Sequence, residues 1–252
     1  MTLSNWLPVR DELARWRDAG KRARLWLRDD DAVAVTPELR QLLSICGGHG
    51  ARPLIATIPA ATTQELAAYL ADEAAEVAVH GWSHTNHAMA GSKAQEFPVH
   101  RPQQEVVEEL GQAVSRIRAL YGGREVPMYV PPWNRIAPEV AALLPQMGFR
   151  ALSGYGRASL FAGPPPLMEL NTHIDIIDWR GSRGGHDTDK LTSDLAQTLA
   201  WSRQQGGQPI GILTHHLVHD AQAWRFLGQL FAETGSTSGV SWCGAGELLQ
   251  LG

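Results

Sequence analysis

The sequence has few cysteines and lacks a long apolar run. Among 252 residues only Cys46 and Cys243 are cysteines, and they do not form a Cys-x-x-Cys pair. A disulfide framework and a thiolate zinc site are therefore excluded. Residues 1–20 mix tryptophan and leucine with many charged residues, so they lack the apolar core of an export signal, and no later run is long enough to span a bilayer. We expect a cytoplasmic protein without a membrane span.

An excess of basic charge is also missing. The 22 Lys and Arg residues are outnumbered by 26 Asp and Glu residues, which gives a net charge of −4. Proteins that bind nucleic acids usually show a basic excess, so we expect no nucleic-acid partner. No repeat, low-complexity tract or linker divides the chain, and chains of this length often fold as one large domain. We predict a single domain over residues 1–252; the sequence does not indicate its oligomeric state.

Short apolar runs alternate with longer amphipathic stretches from residue 22 onwards. This alternation is typical of repeated β-α units around a parallel sheet or barrel, and so predicts an α/β fold. The predicted strands are Arg24–Leu27, Leu54–Ile58, Val77–Val79, Pro127–Val130, Ala151–Ser153, Ile174–Ile177 and Pro209–Leu213. The predicted helices are one from an N-cap at Thr36 to Gly47-Gly48, and Gln64–Leu70, Gln103–Leu120, Pro138–Met147, Thr192–Ser202 and Ala221–Phe231.

Polar residues follow five of the predicted strands. In parallel α/β folds the ligand site lies beyond the carboxyl ends of the strands, so these residues should meet at one rim. They are Arg28-Asp29-Asp30-Asp31, the run from His80 to His87, Pro131-Pro132-Trp133-Asn134-Arg135, Asp178-Trp179, and His215-His216.

Two of these runs suggest a metal site. Three successive carboxylates at a strand end would repel one another unless a cation or the neighbouring Arg28 compensated them. His80 and His84 are four residues apart, which on a helical turn would place both imidazoles on one face. Two histidines and one carboxylate with open coordination positions are typical of a catalytic metal site. His87 is a less favoured alternative ligand.

In order and placement these motifs resemble the polysaccharide deacetylases of the NodB-homology type. The matching elements are an Asp-Asp pair within 29–31, His80-Gly-Trp-Ser-His84, Pro131-Pro132-Trp133, Asp178-Trp179 and Leu213-Thr214-His215, which span about residues 24–216. The resemblance implies a distorted (β/α) barrel of about seven parallel strands. It also implies a metal-dependent hydrolase that removes an N- or O-linked acetyl group from a sugar or polysaccharide precursor.

The family's pattern assigns roles to the motif residues. The first Asp of the pair acts as the base, the second binds the metal with the two histidines, and the last histidine is the acid. The Asp register is ambiguous, and Asp29 could also take part. We favour Asp30 as base and Asp31 as ligand, because Ala32 then takes the place of the family's glycine. His215 would be the acid, and Asp178 would orient it.

Two positions depart from the family pattern. Gly81 replaces a serine or threonine, and Val130 stands where the family has a loop arginine that orients the base. Either Arg28 or Arg135 could supply that charge. The implied cofactor is one divalent ion, with zinc expected and cobalt, nickel or manganese as alternatives.

Further motif residues are predicted to contact the substrate. Indole rings at strand ends can form a flat apolar wall for a sugar ring, although they could equally roof a barrel. The predicted substrate contacts are Arg28, Trp82, Pro132, Trp133, Asn134, Arg135, Trp179 and Leu213.

Three rival functions stay open at the level of sequence. A glycoside hydrolase would use two carboxylates such as Asp30 and Asp178, but it leaves the histidine pair unexplained. A carbohydrate-binding barrel without catalysis is compatible with the missing loop arginine. A metal-dependent hydrolase of a non-sugar amide would use the same residues. A zinc nucleobase deaminase is excluded, because its Cys-x-x-Cys is absent.

Overall fold

Nine parallel strands form the centre of the part of the chain described by the computed structural model, which covers residues 5–159, 167–235 and 239–250. The strands are β1 Ala23–Ala32, β2 Leu54–Thr57, β3 Glu76–His80, β4 Met128–Val130, β5 Ala151–Leu152, β6 Met168–Glu169, β7 Thr172–Asp175, β8 Ile210–Thr214 and β9 Val240–Trp242. Eight of them follow the order β6-β5-β4-β3-β2-β1-β8-β7, and β9 pairs with the start of β1.

The sheet curls into a distorted barrel. Its two edges meet where the Gly156 amide donates to the Thr172 carbonyl over 2.7 Å and the Thr172 amide donates to the Gly154 carbonyl over 3.0 Å. The predicted fold class, a distorted (β/α) barrel of parallel strands, is confirmed. All seven predicted strands are present with shifted ends, and the two strands that were not predicted, β6 and β9, are only two and three residues long.

Helices connect the strands and provide the outer layer. Their bounds are α1 Leu7–Asp18, α2 Pro37–Gly48, α3 Gln64–Asp72, α4 Gln103–Tyr121, α5 Pro138–Ala141, α6 Thr188–Gln204, α7 Ala221–Gly235 and α8 Ala245–Gln250, with 3₁₀ turns at Pro132–Asn134, Leu144–Met147 and His216–Val218. The Thr36 side chain caps α2 as predicted, accepting from the Leu39 amide over 3.1 Å. The predicted helix over Pro138–Met147 is instead a short helix and a 3₁₀ turn, because Pro145 cannot donate a helical hydrogen bond.

Side chains alternate in direction along each strand, and this divides the core into two layers. Leu25 and Leu27 of β1 belong to the large apolar cluster shared with the helices, whereas Trp26 belongs to a smaller cluster. Leu248 and Leu249 of α8 join the smaller cluster. Since successive side chains of a strand point to opposite faces, the smaller cluster fills the barrel interior and α8 closes its lower end.

β1 is longer than predicted. The sequence suggested a strand over Arg24–Leu27 followed by a loop of three aspartates, but β1 continues through them to Ala32. Backbone pairing with β8 extends as far as Asp29 and Thr214. The register with β2 shifts between Asp29 and Ala32, where Asp31 has a φ of 73°. The three aspartates therefore lie on a strand with an irregular end, which gives each a different direction.

Two further sequence expectations concern loops and membranes. The Gly- and Pro-rich composition of Gly154–Pro166 predicts an irregular loop, and this stretch lies outside the described residues from residue 160 onwards. Over the described ranges, no helix combines the length and the apolar character needed to cross a membrane.

Candidate active site

A cavity of about 590 Å³ opens at the carboxyl ends of the strands. Acidic, imidazole, aromatic and guanidinium side chains from different strand ends surround it. Its lining comprises Asp30, Asp31, His80, His84, Trp133, Asn134, Arg135, Tyr155, Asp175, Trp179, Arg180 and His215. The polar strand ends therefore meet at one rim, as expected for this architecture.

Asp31, His80 and His84 converge at one side of this cavity. Their donor atoms all lie within 4.8 Å of one another, and within the described residues this is the one such group of three or more potential metal ligands. Asp31 Oδ1 lies 3.1 Å from His80 Nε2 and 3.3 Å from His84 Nε2. The three predicted metal ligands are thus brought together.

The hydrogen bonds of His80 test whether a cation fits there. Its Nδ1 lies 3.0 Å from the Val130 carbonyl oxygen, which can only accept, so Nδ1 carries a proton. In the neutral ring, the Nε2 lone pair then faces a carboxylate oxygen. This contact is repulsive unless a proton or a cation lies between the two atoms. Because a backbone carbonyl orients many metal-binding histidines in this way, the donor set fits a divalent ion.

Asp30 lies beside this group and is held by Arg28. Arg28 Nε and Nη2 donate to the two Asp30 carboxylate oxygens, each over 2.9 Å, and both side chains are buried. Arg28 Nη1 donates to the Ser153 carbonyl over 2.8 Å, and Nη2 donates to Asn134 Oδ1 over 2.6 Å. This bidentate pair fixes the orientation of Asp30. Of the two arginines suggested for the missing loop arginine, Arg28 is the one that contacts Asp30.

His215 lies next to Asp30 in the lining of the cavity. Its Nε2 lies 4.0 Å from Asp30 Oδ2, and the Trp179 ring packs edge-on against the imidazole at 4.7 Å between centroids. Among the described residues, no partner hydrogen-bonds to the buried Nδ1 of His215. A base candidate and an acid candidate therefore lie side by side, next to the metal ligands.

Comparison with known families agrees with this geometry. The family profile described as polysaccharide deacetylase matches residues 19–152, more than half of the chain. The chain belongs to the polysaccharide deacetylase family. The match contains Asp31, His80 and His84, and it ends before the strand that leads to His215. A search of curated protein sequences found no match.

Solved structures of deacetylases and carbohydrate esterases share the fold. A Mycobacterium smegmatis protein described as a polysaccharide deacetylase is 14% identical, with a TM-score of 0.65 over 92% of this chain and 90% of that one. A family 4 carbohydrate esterase from Streptomyces lividans is 16% identical, with a TM-score of 0.55 over 88% and 91%. A family 4 acetyl xylan esterase from Clostridium thermocellum, solved with a cobalt ion, is 12% identical, with a TM-score of 0.58 over 90% and 91%.

Glu96 stabilises the loop that carries His84. This buried carboxylate accepts hydrogen bonds from the Trp82 amide over 3.0 Å and from the Ser83 amide over 2.7 Å. Gly81 has a φ of 64°, and a Cβ there would lie 2.0 Å from Glu96 Oε2. The space that a serine or threonine would need is thus filled by Glu96, which explains this departure from the family pattern.

The structure corrects the predicted geometry of the histidine pair. The spacing of four suggested one face of a helical turn, but His80 ends β3 and His84 follows in a loop with a φ of 57°. The positive φ values at Gly81 and His84 turn the backbone back on itself between the two histidines. The imidazoles approach to 5.2 Å between ring centroids.

Asp29 is not placed in the cavity. It is fully buried and accepts hydrogen bonds from His216 Nδ1 and Thr214 Oγ1, each over 2.5 Å, and from the His216 amide over 2.9 Å. Burial alone would raise the pKa of Asp29, but the charge and hydrogen bond of His216 outweigh it and lower the pKa. Strand alternation turns the Asp29 side chain away from the cavity, so the structure does not bring it together with Asp30 and Asp31 as the sequence suggests.

Asp178 does not hydrogen-bond to His215 Nδ1 in the part of the chain that the structure describes, so the structure does not bring together the two residues of the predicted orienting contact. Its carboxylate accepts from the Gly181 amide over 3.0 Å within a turn and lies 3.9 Å from His186.

Asp175 is the acid that the structure places in the cavity instead. It accepts from the Ile177 amide over 3.0 Å and from Trp179 Nε1 over 2.9 Å, so it fixes the indole that packs on His215. Burial raises the pKa of Asp175, and the nearby Asp30 adds to the increase. Asp175 is a cavity residue that the motifs of the sequence do not predict. The alternation Ile174-Asp175-Ile176, with an acid between two buried apolar residues, was the available signal.

The predicted substrate contacts fall into two groups. Four line the cavity: Trp133, Asn134, Arg135 and Trp179. The other four do not: Arg28 and Leu213 are fully buried in the sheet, Pro132 is buried against Gly81, and Trp82 packs on the apolar core. The structure does not bring these four into the cavity lining, and their contact with a substrate stays a prediction.

Proposed function

We propose that this protein is a metal-dependent deacetylase that hydrolyses an N- or O-linked acetyl group on a sugar or polysaccharide precursor. One observation carries the proposal: the metal-ligand set Asp31, His80 and His84 shares a cavity with an arginine-held carboxylate and a histidine. Family membership supports deacetylation as the reaction. Zinc is the ion we expect, since it takes Asp and His ligands in catalytic sites with open positions.

Asp31, His80 and His84 would hold the ion through one carboxylate oxygen and two imidazole nitrogens. A divalent ion bound there polarises a carbonyl oxygen and lowers the pKa of a water molecule. Asp30 accepts the proton from the attacking water, and its bidentate pair with Arg28 keeps the free lone pairs in position. His215 then donates a proton to the departing amine or alcohol, which leaves acetate as the second product.

The tryptophans of the cavity provide its apolar walls. Trp133 packs against the His84 ring at 4.3 Å between centroids, and Trp179 packs against His215. An indole beside each histidine excludes water from the reacting groups and offers a flat surface to a sugar ring. These walls favour a sugar over a linear amide as the substrate.

Two rival functions lose support from the geometry. A glycoside hydrolase that pairs Asp30 with Asp178 is disfavoured, since Asp178 is tied into a turn outside the cavity. A barrel without catalysis was suggested by the missing loop arginine, but Arg28 makes a bidentate contact with Asp30.

The test compares metal-free protein with protein reloaded with zinc or cobalt on a panel of N- and O-acetylated sugars. We expect one bound ion per chain and acetate release only from the loaded protein. The chelated protein is the control. Binding of the ion without acetate release from any acetylated sugar would contradict the proposed reaction, and failure to bind either ion would contradict the proposed metal site.

A further inference from the structure

An arginine follows each of the two tryptophans that form the walls of the cavity. Arg135 follows Trp133 after β4, and Arg180 follows Trp179 after β7. The two tryptophans pack on the histidines His84 and His215. A guanidinium group therefore lies next to each of the two surfaces that would contact a sugar.

Neither arginine has an acidic partner within the described ranges of the chain. Arg135 is half-buried, and its Nη1 donates to the Ala94 carbonyl over 3.1 Å. This bond anchors the side chain but does not neutralise its charge. Arg180 is exposed at the mouth of the cavity. Holding the half-buried Arg135 without an anion is unfavourable, so this guanidinium favours an anionic ligand.

The balance of charges around the cavity also favours an anionic ligand. Three carboxylates line it, namely Asp30, Asp31 and Asp175, and two guanidiniums line it as well. Arg28, paired with Asp30, is the third cation. With Glu96, the buried carboxylate whose charge acts on His84, the four carboxylates and three guanidiniums sum to −1, so a bound divalent ion would leave an excess of one positive charge. The site would then attract anions although the whole chain has a net charge of −4.

We infer that the substrate is an acetylated sugar that also carries an anionic group, a carboxylate or a phosphate, bound by Arg135 and Arg180. Guanidinium groups bind both anions through paired hydrogen bonds. The anion would hold the sugar between Trp133 and Trp179 and place its acetyl group beside the metal ligands. This inference rests on the proposed function, because it assigns the substrate class of the same site.

A matched set of substrates tests it. N-acetylglucosamine is neutral, N-acetylglucosaminuronic acid carries a carboxylate at C6, and the 6-phosphate and 1-phosphate of N-acetylglucosamine carry a phosphate. We expect the metal-loaded protein to prefer at least one anionic sugar by about tenfold to a hundredfold in kcat/KM, mainly through KM. The carboxylate and phosphate arms distinguish the two anions.

Arginine variants assign the preference to the site. Arg135→Gln and Arg180→Gln should each reduce the preference for the anionic sugar, measured as the ratio of kcat/KM for the anionic and the neutral sugar. Arg183→Gln is the matched control, because Arg183 is exposed in the same turn as Arg180 but does not line the cavity. Equal turnover of all four sugars, or a preference that the Arg183 variant loses equally, would overturn the inference.

A binding measurement separates this inference from the proposed function. Calorimetry with the metal-loaded protein would compare glucosamine with glucosamine 6-phosphate, glucosamine 1-phosphate and glucosaminuronic acid. Arginine-dependent binding of an anionic sugar without acetate release supports the anion site and contradicts the deacetylase reaction. Acetate release without an anionic preference, and with equal binding of all four sugars, contradicts the anion site and supports the reaction.

Discussion

The two histidine pairs at the rim of the barrel behave in opposite ways. His80 and His84 converge on Asp31, at 3.1 Å and 3.3 Å from the same oxygen. His215 and His216 diverge: His215 faces Asp30 in the cavity, whereas His216 binds the buried Asp29. The first pair is suited to share an ion, and the second pair divides between a chemical role and a structural role.

Backbone geometry explains the difference. His80 and His84 are joined by a loop with two positive φ values, which brings their side chains together. His215 and His216 directly follow β8, where neighbouring side chains point in opposite directions. The same alternation on β1 separates Asp29 from Asp30. Adjacent residues of the same type therefore face different environments, Asp30 with His215 inside the rim and Asp29 with His216 outside it.

The largest effect on activity should come from Asp31, the carboxylate on which His80 and His84 converge. Asp31→Asn removes the one anionic ligand, so we expect loss of the bound ion and of acetate release, beyond the tenfold to hundredfold that supporting residues typically cost. The measurement is metal content and zinc affinity by calorimetry. If Asp31→Asn retains the ion and Asp30→Asn loses it, the assigned order of base and ligand is reversed.

The next largest effect should come from His215. His215→Ala removes the proposed acid without touching a metal ligand, so the ion should stay bound while the rate of deacetylation falls by about 10²–10⁴-fold. Steady-state kinetics and metal content of the same preparation check this. Full activity of the variant on a verified substrate would contradict the acid-base assignment.

A smaller effect is expected at the loop that brings His84 to Asp31. Glu96→Ala removes the acceptor of the Trp82 and Ser83 amides, so His84 would be less well placed and zinc affinity should fall by about tenfold to a hundredfold. Glu108→Ala, on the exposed face of α4, is the matched control. Unchanged affinity together with a lowered Tm would assign Glu96 a role in stability alone.

The amino-acid sequence predicts those features of the fold and of the cavity lining that a single local signal decides. The parallel strands were marked by apolar runs, and Asp30, Asp31, His80, His84 and His215 were marked by their position at strand ends. The directions of side chains were harder to predict, because they depend on where each strand stops. β1 runs through all three aspartates instead of ending before them, so Asp29 lies outside the rim.

Contacts between distant segments could not be predicted at all. The hydrogen bond from Arg28 to Asn134 joins β1 to a distant turn. The hydrogen bonds that Glu96 accepts from the amides of residues 82 and 83 join two parts of another loop. The sequence does not specify the paths of these segments. Asp175 was missed for a related reason. Its neighbour Asp178 fits the family motif, and only the turn that follows β7 shows that Asp178 points away.

His216, the buried member of the diverging pair, should affect stability and not chemistry. His216 Nδ1 lies 2.5 Å from Asp29 Oδ2, and both side chains are buried. His216→Ala leaves the Asp29 charge without its main partner, and the loss of one member of a buried ion pair costs about 3–5 kcal/mol. We expect a lower free energy of unfolding in denaturant titrations, and a turnover number per folded molecule close to that of the unmodified protein.

The pH dependence of this loss makes the prediction specific. Burial opposes the charge on His216, but Asp29 outweighs it and raises the pKa of His216 above 6.5, while the pKa of Asp29 is lowered below 3.8. The raised histidine pKa contributes stability that is complete below pH 6.5 and is lost as pH rises through the folded-state value. The lowered aspartate pKa contributes stability that is complete above pH 3.8 and is lost as pH falls. The destabilisation by His216→Ala should therefore be greatest between these two pH values and shrink on either side. A constant difference across this range would indicate lost packing and not a lost ion pair, and an inactive but stable His216→Ala would show that the proposed acid is His216 and not His215.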